Sequence, residues 1–574
     1  MAWKWAHDGT PQKIGRSFLF FFIPVIAFGQ TGGAPPPGSQ NGATRQPFIS
    51  DLRAHIHHVF VIYQENRSFD SYFGSFPGAD NLATAEARSH GFRQWDPIGH
   101  AWVTPFLLEA ADTSDVDHSR RALIAKSSHG RMDRFVAFEE LLQLNSRMAS
   151  KSYARQIGLL TMAHEDCHTI PFLWLYAHRF ALYDHIFQGM YGPSTPGNID
   201  LIAGQTGQTQ MARHPNEAFH STVSAGEPVV NDLNPAFGPY ANSLQASSAH
   251  QLDQTYATLM LTLLGRNAQQ AKLDNEDVRQ DIGELVKLNR RAVPWAWYQE
   301  GFGNGEGNHH PAYIPHHDAP QYFGYVRENQ PLWNGVHGLT DFFDVMAKRQ
   351  LPSNSVVFIK GGRRNPFGWK PANPLASYVL GDDDHPAYSD SQLSESLVAK
   401  VVNTVARSPY WQDSAIIIIW DDSGGFYDHV PPPQFERCPD GHPCGDGPRI
   451  PLILISPYAK SAAIVSSQGD HASFAKFLDA LFGLPPLASL PDEKPYLPEG
   501  PRDTNPRLSS LLGGFDPARL AGIKAPIPAS AAEIPSSVVN RFPPPMTCKD
   551  TGVTPVVIPG AALTPPRGFT NPLP

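Results

Sequence analysis

Residues 415–425 read "AIIIIWDDSGG". An alanine, four isoleucines and a tryptophan show no alternation of polar and apolar positions, so a strand built from them is buried on both faces. Such strands belong to parallel sheets covered by helices on each side. The run then stops on two aspartates, a serine and two glycines. Three further runs share its character: "HVFVIY" (58–63), "SVVFIK" (355–360) and "PLILIS" (451–456). Helical patterns lie between them, among them "SQLSESLVAKVVNTVARS" (391–408) and the long stretch 256–292. Strands alternating with helices predict an α/β sandwich of three layers, a central and mostly parallel sheet flanked by helices.

The chain has 574 residues, 41% of them hydrophobic and 17% charged, which suits one large domain with insertions or two or three ordinary ones. A net charge of −9 leaves no basic footprint for nucleic acid. Lys4, Lys13 and Arg16 precede the apolar "SFLFFFIPVIAFG" (17–29), which is shorter than the roughly 20 residues of a membrane span and reads as an export signal over 1–29. A Gly/Pro/Ser/Gln-rich linker follows over 30–50. No later segment is apolar enough to cross a bilayer, so the sequence predicts a soluble protein that is secreted or periplasmic, with at most peripheral membrane contact. The catalytic domain is expected over 51–525. Residues 205–350 carry few strand signals and read as a largely helical or irregular insertion or cap. Within it, the aromatic "PWAWYQEGFGNGEGNHHPAYIP" (294–315) reads as packed cap or as the wall of a lipid pocket. The Pro- and Ala-rich residues 526–574 read as a tail wrapped on the domain.

Four cysteines fit an oxidising compartment. Cys438 and Cys444 bracket the turn-rich "CPDGHPC", and with five residues between them a disulfide is favoured over a zinc site, whose ligand pairs are usually closer. Cys167 and Cys548 remain for a second pair.

In open α/β sheets ligands bind beyond the carboxyl ends of the strands. "HVFVIY" is followed there by Gln64-Glu65-Asn66, and "AIIIIW" by Asp421-Asp422. Three carboxylates and an amide at neighbouring strand ends make an oxygen-rich pocket whose repulsion calls for a divalent cation. Either cluster alone would equally serve as a helix cap or a solvated turn. "MYGPSTPGN" (190–198) places Ser194 and Thr195 between prolines and glycines, where a hydroxyl is held rigidly as a nucleophile or simply sits in a loop. His118 in "DTSDVDHSR", His316 and His317 in "YIPHHDAPQYF" and His385 in "GDDDHPAYSD" are candidate phosphate donors or proton carriers.

Taken in order, "HVFVIYQENRSFDSYFG", "GRMDRFV", "MYGPSTPGN", "HHDAPQYF", "DHPAYSD", "WQDSAIIIIWDDSGGFYDHVPPP", "GDGPRIPLILISPYAK" and "DHASFAKFLDALFGL" resemble the bacterial phospholipase C and acid phosphatase phosphoesterases of the alkaline phosphatase superfamily, over roughly residues 53–483. The resemblance implies an alkaline phosphatase-like sandwich and a single divalent metal, its identity unspecified, held by Glu65, Asn66, Asp421 and Asp422. It implies Ser194 as nucleophile, with Thr195 the adjacent alternative. His317 and His385 are implied as phosphate donors or as acids for the leaving group, and His118 and His316 as phosphate contacts or supports. One departure stands out: many phospholipase members have Pro-Asn-Arg shortly after the nucleophile, and this chain has Pro196-Gly197-Asn198-Ile199. The expected activity is phospholipase C-like hydrolysis of a phosphoester, a phospholipid among the candidate substrates. The alternatives are an acid phosphatase acting on monoesters and a non-catalytic phosphate- or metal-binding protein.

Overall fold

The computed structural model describes residues 42–146, 149–215, 228–235, 251–271, 277–303, 311–435, 437, 438, 441 and 443–573. Residues 1–41, with the expected export signal and the start of the linker, lie outside them. A helix, Gly42–His55, already occupies the last part of the stretch read as linker.

Eight strands form one sheet: β1 His58–Gln64, β2 Ala181–Phe187, β3 Trp295–Gln299, β4 Val336–Gly338, β5 Ser355–Lys360, β6 Ser414–Trp420, β7 Arg449–Ile455 and β8 Ala463–Val465. Their spatial order is β4-β3-β5-β1-β6-β7-β2-β8. Every neighbouring pair is parallel except the two made by β7, which runs opposite to the rest. The four apolar runs are thus β1, β5, β6 and β7, and every residue of these strands is buried. β7 is the antiparallel member of a sheet that is otherwise parallel, as expected of a mostly parallel sheet. An apolar run buried on both faces carries no direction in its sequence.

Helices cover both faces. Phe358 of β5 meets Phe474 of the helix Ala472–Phe482 at 5.8 Å, whereas Phe60 of β1 meets Phe342 of the helix Leu339–Ala347 at 6.2 Å. Phe60 neighbours Val61, the register partner of Phe358, so the two contacts leave opposite faces of the pleat. The helix Ser391–Ala406 lies on the same side as Leu339–Ala347 and begins with Asp390, whose carboxylate accepts the N–H groups of Gln392 and Leu393.

Two readings change with the structure. The region 205–350 is not wholly an insertion, because β3 and β4 extend the main sheet from within it. "WAWYQ" is β3, and its Trp297 is fully buried against Phe358. The helical pattern over 256–292 is interrupted, with Leu259–Thr262 and Arg279–Leu288 as its helices and a left-handed Gly265 between them. In "PFLWLYAHRFALYDHIFQG" the helix Pro171–Arg179 gives way to β2.

Beside the sheet, the helices Phe135–Asn145 and Lys151–Leu160 share a second apolar core with Phe426, Tyr427 and Ile558. This core carries the segment that holds His118. The tail closes on the same segment, where Ser114 N–H donates to the Pro572 carbonyl at 2.9 Å and Asn571 Nδ2 donates to the Asp112 carbonyl at 2.7 Å. Disulfides join Cys167 to Cys548 and Cys438 to Cys444. Residues 46–574 form one compact unit, and among the described residues no helix is long and apolar enough to cross a membrane.

Candidate active site

Parallel pairing aligns the carboxyl ends of three strands. Tyr63 of β1 faces Lys360 of β5 and Ile419 of β6, and Gln64 faces Trp420. The residues that follow, Glu65-Asn66 and Asp421-Asp422, therefore emerge side by side and are fully buried. Asn66 N–H donates to Asp421 Oδ1 at 3.0 Å, and Arg67 N–H to the Asp422 carbonyl at 3.0 Å, which lock the two strand ends together. Asn66 is left-handed, with φ 55°. A side chain on Gly424 (φ 62°) would collide with the Asn66 carbonyl, and one on Gly425 with the Asp117 carbonyl. The Gly-Gly pair thus brings β6, β1 and the His118 segment into close approach.

Ser194 is the first residue of the helix Ser194–Ala203, where the sequence reading expected a Pro/Gly turn. Its Oγ–H donates to Glu65 Oε2 at 2.8 Å and lies 3.4 Å from Asn66 Oδ1. Asn198 Nδ2 donates to the Ser194 carbonyl and fixes the first turn. Gly197 sits on the backbone of Asp421, where a methyl group would stand 2.5 Å from the Asp421 carbonyl oxygen. Gly197, within the stretch that departs from Pro-Asn-Arg, lets this helix lie on the end of β6. Thr195 faces elsewhere. Its N–H donates to Asp232 Oδ1 at 2.9 Å and its Oγ1 accepts from Leu233 N–H at 3.3 Å.

The four histidines gather around this cluster from two sides. His118 Nε2 lies 3.0 Å from the Asn66 amide, and its ring meets that of His385 at 5.7 Å. His317 is buried with Nδ1 3.3 Å from Glu65 Oε1, and the His316 ring stands edge-on to it at 4.4 Å. His385 and His316 are half-buried. The His385 ring stacks on Tyr388.

The donor set fits a hard divalent cation. Asp421 Oδ2 and Asp422 Oδ2 are buried and have no hydrogen-bond partner. Burial, reinforced by the Asp421 charge, pushes both Glu65 and Asp422 well above the usual carboxylate range. Asp421 goes the other way, since Lys360 and hydrogen bonds from its neighbours outweigh its burial. The Asn66 amide completes the argument. In one orientation its nitrogen donates to Glu65 Oε2 at 2.9 Å and Asp421 Oδ1 at 3.2 Å, while its oxygen accepts from His118 and His385. In the other its oxygen turns toward the carboxylates and its nitrogen donates to His118 Nε2. A cation among the carboxylates selects the second, because an amide nitrogen is no ligand. His118 Nδ1 donates to the Val116 carbonyl at 2.8 Å, and Nε2 would accept from the amide once the charge of such a cation offset that of Asp422 and left the ring neutral.

Burial holds His317 well below the ordinary imidazole value and takes His316 down to about 4. Burial would lower His118 too, but Asp115 and Asp422 overcome it and raise the ring well above that value.

Sequence reasoning missed Lys360, whose ammonium contacts Glu65 Oε1. The signal was present: a lysine closing the otherwise apolar "SVVFIK", on a strand adjacent to β1. Asp383 was also missed. Its backbone carbonyl accepts Glu65 N–H at 2.8 Å and its carboxylate lies 3.8 Å from His317 Nδ1. Arg67 and Asp70 make framework contacts around the strand end. Arg67 donates to the Asn66 carbonyl, and Asp70 pairs with His429 at 2.7 Å and Arg449 at 3.0 Å.

Comparison with known proteins agrees with the ordered blocks. Among solved structures, a protein in the alkaline phosphatase superfamily from Vibrio parahaemolyticus is 10% identical, covering 77% of this chain and 75% of that one with a TM-score of 0.28. The non-hemolytic phospholipase C of Burkholderia pseudomallei is 23% identical over 500 residues, 82% of this chain and 59% of that protein. The hemolytic phospholipase C of Pseudomonas aeruginosa is 22% identical over 75% of this chain and 53% of its own length. The chain thus spans little more than half of these two relatives. Phospholipase C B of Mycobacterium tuberculosis is 31% identical over 467 residues, 75% of this chain and 74% of that protein. A sequence model of the Phosphoesterase family matches residues 56–485, three quarters of the chain and all of the strand ends described above, and the protein belongs to that family.

Proposed function

We propose that this protein hydrolyses phosphoric esters through Ser194 as nucleophile, with phosphodiesters of the phospholipase C kind as substrates. The observation that carries the reading is the placement of Ser194 Oγ, buried, 2.8 Å from Glu65 Oε2 and at the N-terminus of a helix, where an anion is favoured. Relatives named phospholipase C, matched over most of this chain, support the diester preference. Glu65, Asn66, Asp421 and Asp422 would hold a divalent ion, which would supply Lewis-acid stabilisation of the phosphoryl charge and a lowered pKa at the nucleophile.

The residues of the chain do the rest. Ser194 gives its proton to Glu65 Oε2 and attacks phosphorus in line with the leaving oxygen, giving a phosphoseryl enzyme. Water, passing its proton to the histidine that protonated the leaving group, then opens it from the opposite side while Ser194 takes its proton back from Glu65. The leaving alkoxide departs toward solvent, so its proton comes from the half-buried side of the histidine set, where His385 stands. His317, enclosed against Glu65, donates to the phosphoryl oxygens instead, and His118 and His316 support them. Residues 1–29 serve as an export signal, and the two disulfides suit a destination outside the cytoplasm.

The test is turnover of p-nitrophenyl phosphorylcholine and p-nitrophenyl phosphate, with and without chelator, by wild type and Ser194→Ala. We expect a chelator-sensitive preference for the diester, and a fall of about 10³-fold or more in kcat for the folded mutant. Near wild-type turnover by Ser194→Ala refutes the nucleophile. Absence of turnover on any phosphoester, with phosphate still bound, favours a binding protein.

A further inference from the structure

Lys360 closes β5 and is 1% exposed. A buried ammonium is costly unless it is paired and in good geometry. Its partners here are Glu65 Oε1 and the Tyr63 ring, whose centroid lies 4.6 Å from Nζ. The ammonium also acts on Asp421, whose carboxyl it helps to hold low, while Asp383 is engaged by the hydroxyls of Tyr388 and Ser389. The two oxygens of Glu65 are therefore divided: Oε1 toward Lys360 and His317, Oε2 toward Ser194. Without the lysine, the His317 ring is what remains beside Oε1 among the described residues, and the carboxylate is held less firmly.

The same ammonium sets the charge of the ligand set. Glu65, Asp421 and Asp422 bring three negative charges and Asn66 none. A divalent ion cancels two of them, and the Lys360 ammonium cancels the third. A phosphoryl group then enters a neutral centre rather than an anionic one. The benefit grows with the charge of the incoming group, because each unit of ligand charge interacts separately with the ammonium.

We propose that Lys360 is a positioning residue of this site, which fixes Glu65 with Oε2 toward Ser194 and makes the metal-loaded centre neutral enough to hold a doubly charged phosphoryl group. The inference rests on reading the pocket as a phosphoryl site and goes beyond it by naming what sets its tolerance for charge. It implies that Lys360 bears more heavily on monoesters and on the dianionic product than on diesters.

The experiment uses the full chain loaded with Mn²⁺, as wild type, Lys360→Met and Lys360→Arg. Calorimetry follows the binding of inorganic phosphate and of dimethyl phosphate at about pH 8.5, where the first is a dianion and the second a monoanion. Lys360→Met should lose about tenfold more affinity for phosphate than for dimethyl phosphate, and Lys360→Arg should recover most of the difference. Equal losses for both ligands, or no loss for either, overturn the proposal, since a lysine that only packs cannot distinguish ligand charge. Should Lys360→Met fail to fold, Lys360→Arg against Lys360→Gln supplies the same comparison. Wild type that binds phosphate with this charge dependence but turns over no phosphoester defeats the catalytic reading and leaves the role of Lys360 standing.

Discussion

Gly197→Ala is the sharpest perturbation the geometry offers. Gly197 lies inside the helix that starts at Ser194, so alanine costs nothing in helix propensity and is slightly favoured there. Its methyl group, however, would lie 2.5 Å from the Asp421 carbonyl oxygen and 3.2 Å from Asp421 Cβ. Restoring ordinary contact at about 3.4 Å requires the first turn of the helix and the end of β6 to part by about 0.9 Å. Ser194, the proposed nucleophile, rides on that turn and Asp421 and Asp422 on that strand end, so the full displacement appears between the hydroxyl and the carboxylate cluster. A misplacement of about 1 Å costs on the order of 10²-fold in rate, whereas overpacking of this kind costs about 1–3 kcal/mol in stability. The assay is kcat/KM on the diester beside thermal unfolding and metal content. A mutant that folds, retains its metal and keeps kcat/KM within about threefold of wild type refutes the claim that Gly197 sets the distance between Ser194 and the cluster.

Other expectations concern the framework. His429 is raised to about 9, since Asp70 and Asp80 outweigh its burial. A group raised in the folded state stabilises fully below its ordinary value of about 6.5, so about 3 kcal/mol should be lost as pH climbs from there through 9. Urea unfolding should show this slope in wild type and not in His429→Gln, and an unchanged slope in the mutant dismisses the assignment. Asp80 is lowered to about 2, with His429 and Arg449 overcoming its burial, so its contribution is present above about 4 and vanishes as pH falls through 2. The two values describe one set of ion pairs and are not additive. Arg449→Met leaves Asp70 and Asp428 buried without their guanidinium and should cost about 3–5 kcal/mol, read as a shift in the denaturation midpoint. Cys548→Ser opens a loop of 381 residues and should cost about 2–5 kcal/mol. Limited proteolysis should then cut the tail first, and equal resistance in mutant and wild type would show that the tail is held without the bond.

The parts of this protein that the sequence reveals are those where one residue type has one physical use. Isoleucine and valine runs without alternation can only be buried strands, and β1, β5 and β6 follow. Carboxylates directly after two such runs converge because parallel strands in register end together, and Glu65, Asn66, Asp421 and Asp422 do. What stays hidden depends on tertiary context. Nothing in "PLILIS" distinguishes a parallel strand from an antiparallel one, and "WAWYQ" looks like cap packing until β5 is beside it. Ser194 and Thr195 are equivalent in a Pro/Gly stretch; only the helix start, with Asp232 and Leu233 holding Thr195, sends one hydroxyl to Glu65 and the other away. Lys360 was legible as an anomaly but not as a partner, because its meaning lies in a glutamate on the neighbouring strand.

The position of β1 has a consequence for how the chain reaches this state. Its strand neighbours on both sides, β5 and β6, begin at Ser355 and Ser414, far downstream of His58. During synthesis this early apolar strand therefore has no partner on either edge until most of the chain has emerged. Non-local pairing of this kind folds slowly, and an unpaired strand is a template for association with other chains. The export proposed above, were it to carry an unfolded chain, would suit such a topology by postponing sheet formation until every strand is present at once. The cost falls on production in the laboratory: nascent chains should aggregate in proportion to expression rate, and slower synthesis or holding chaperones should raise the soluble yield.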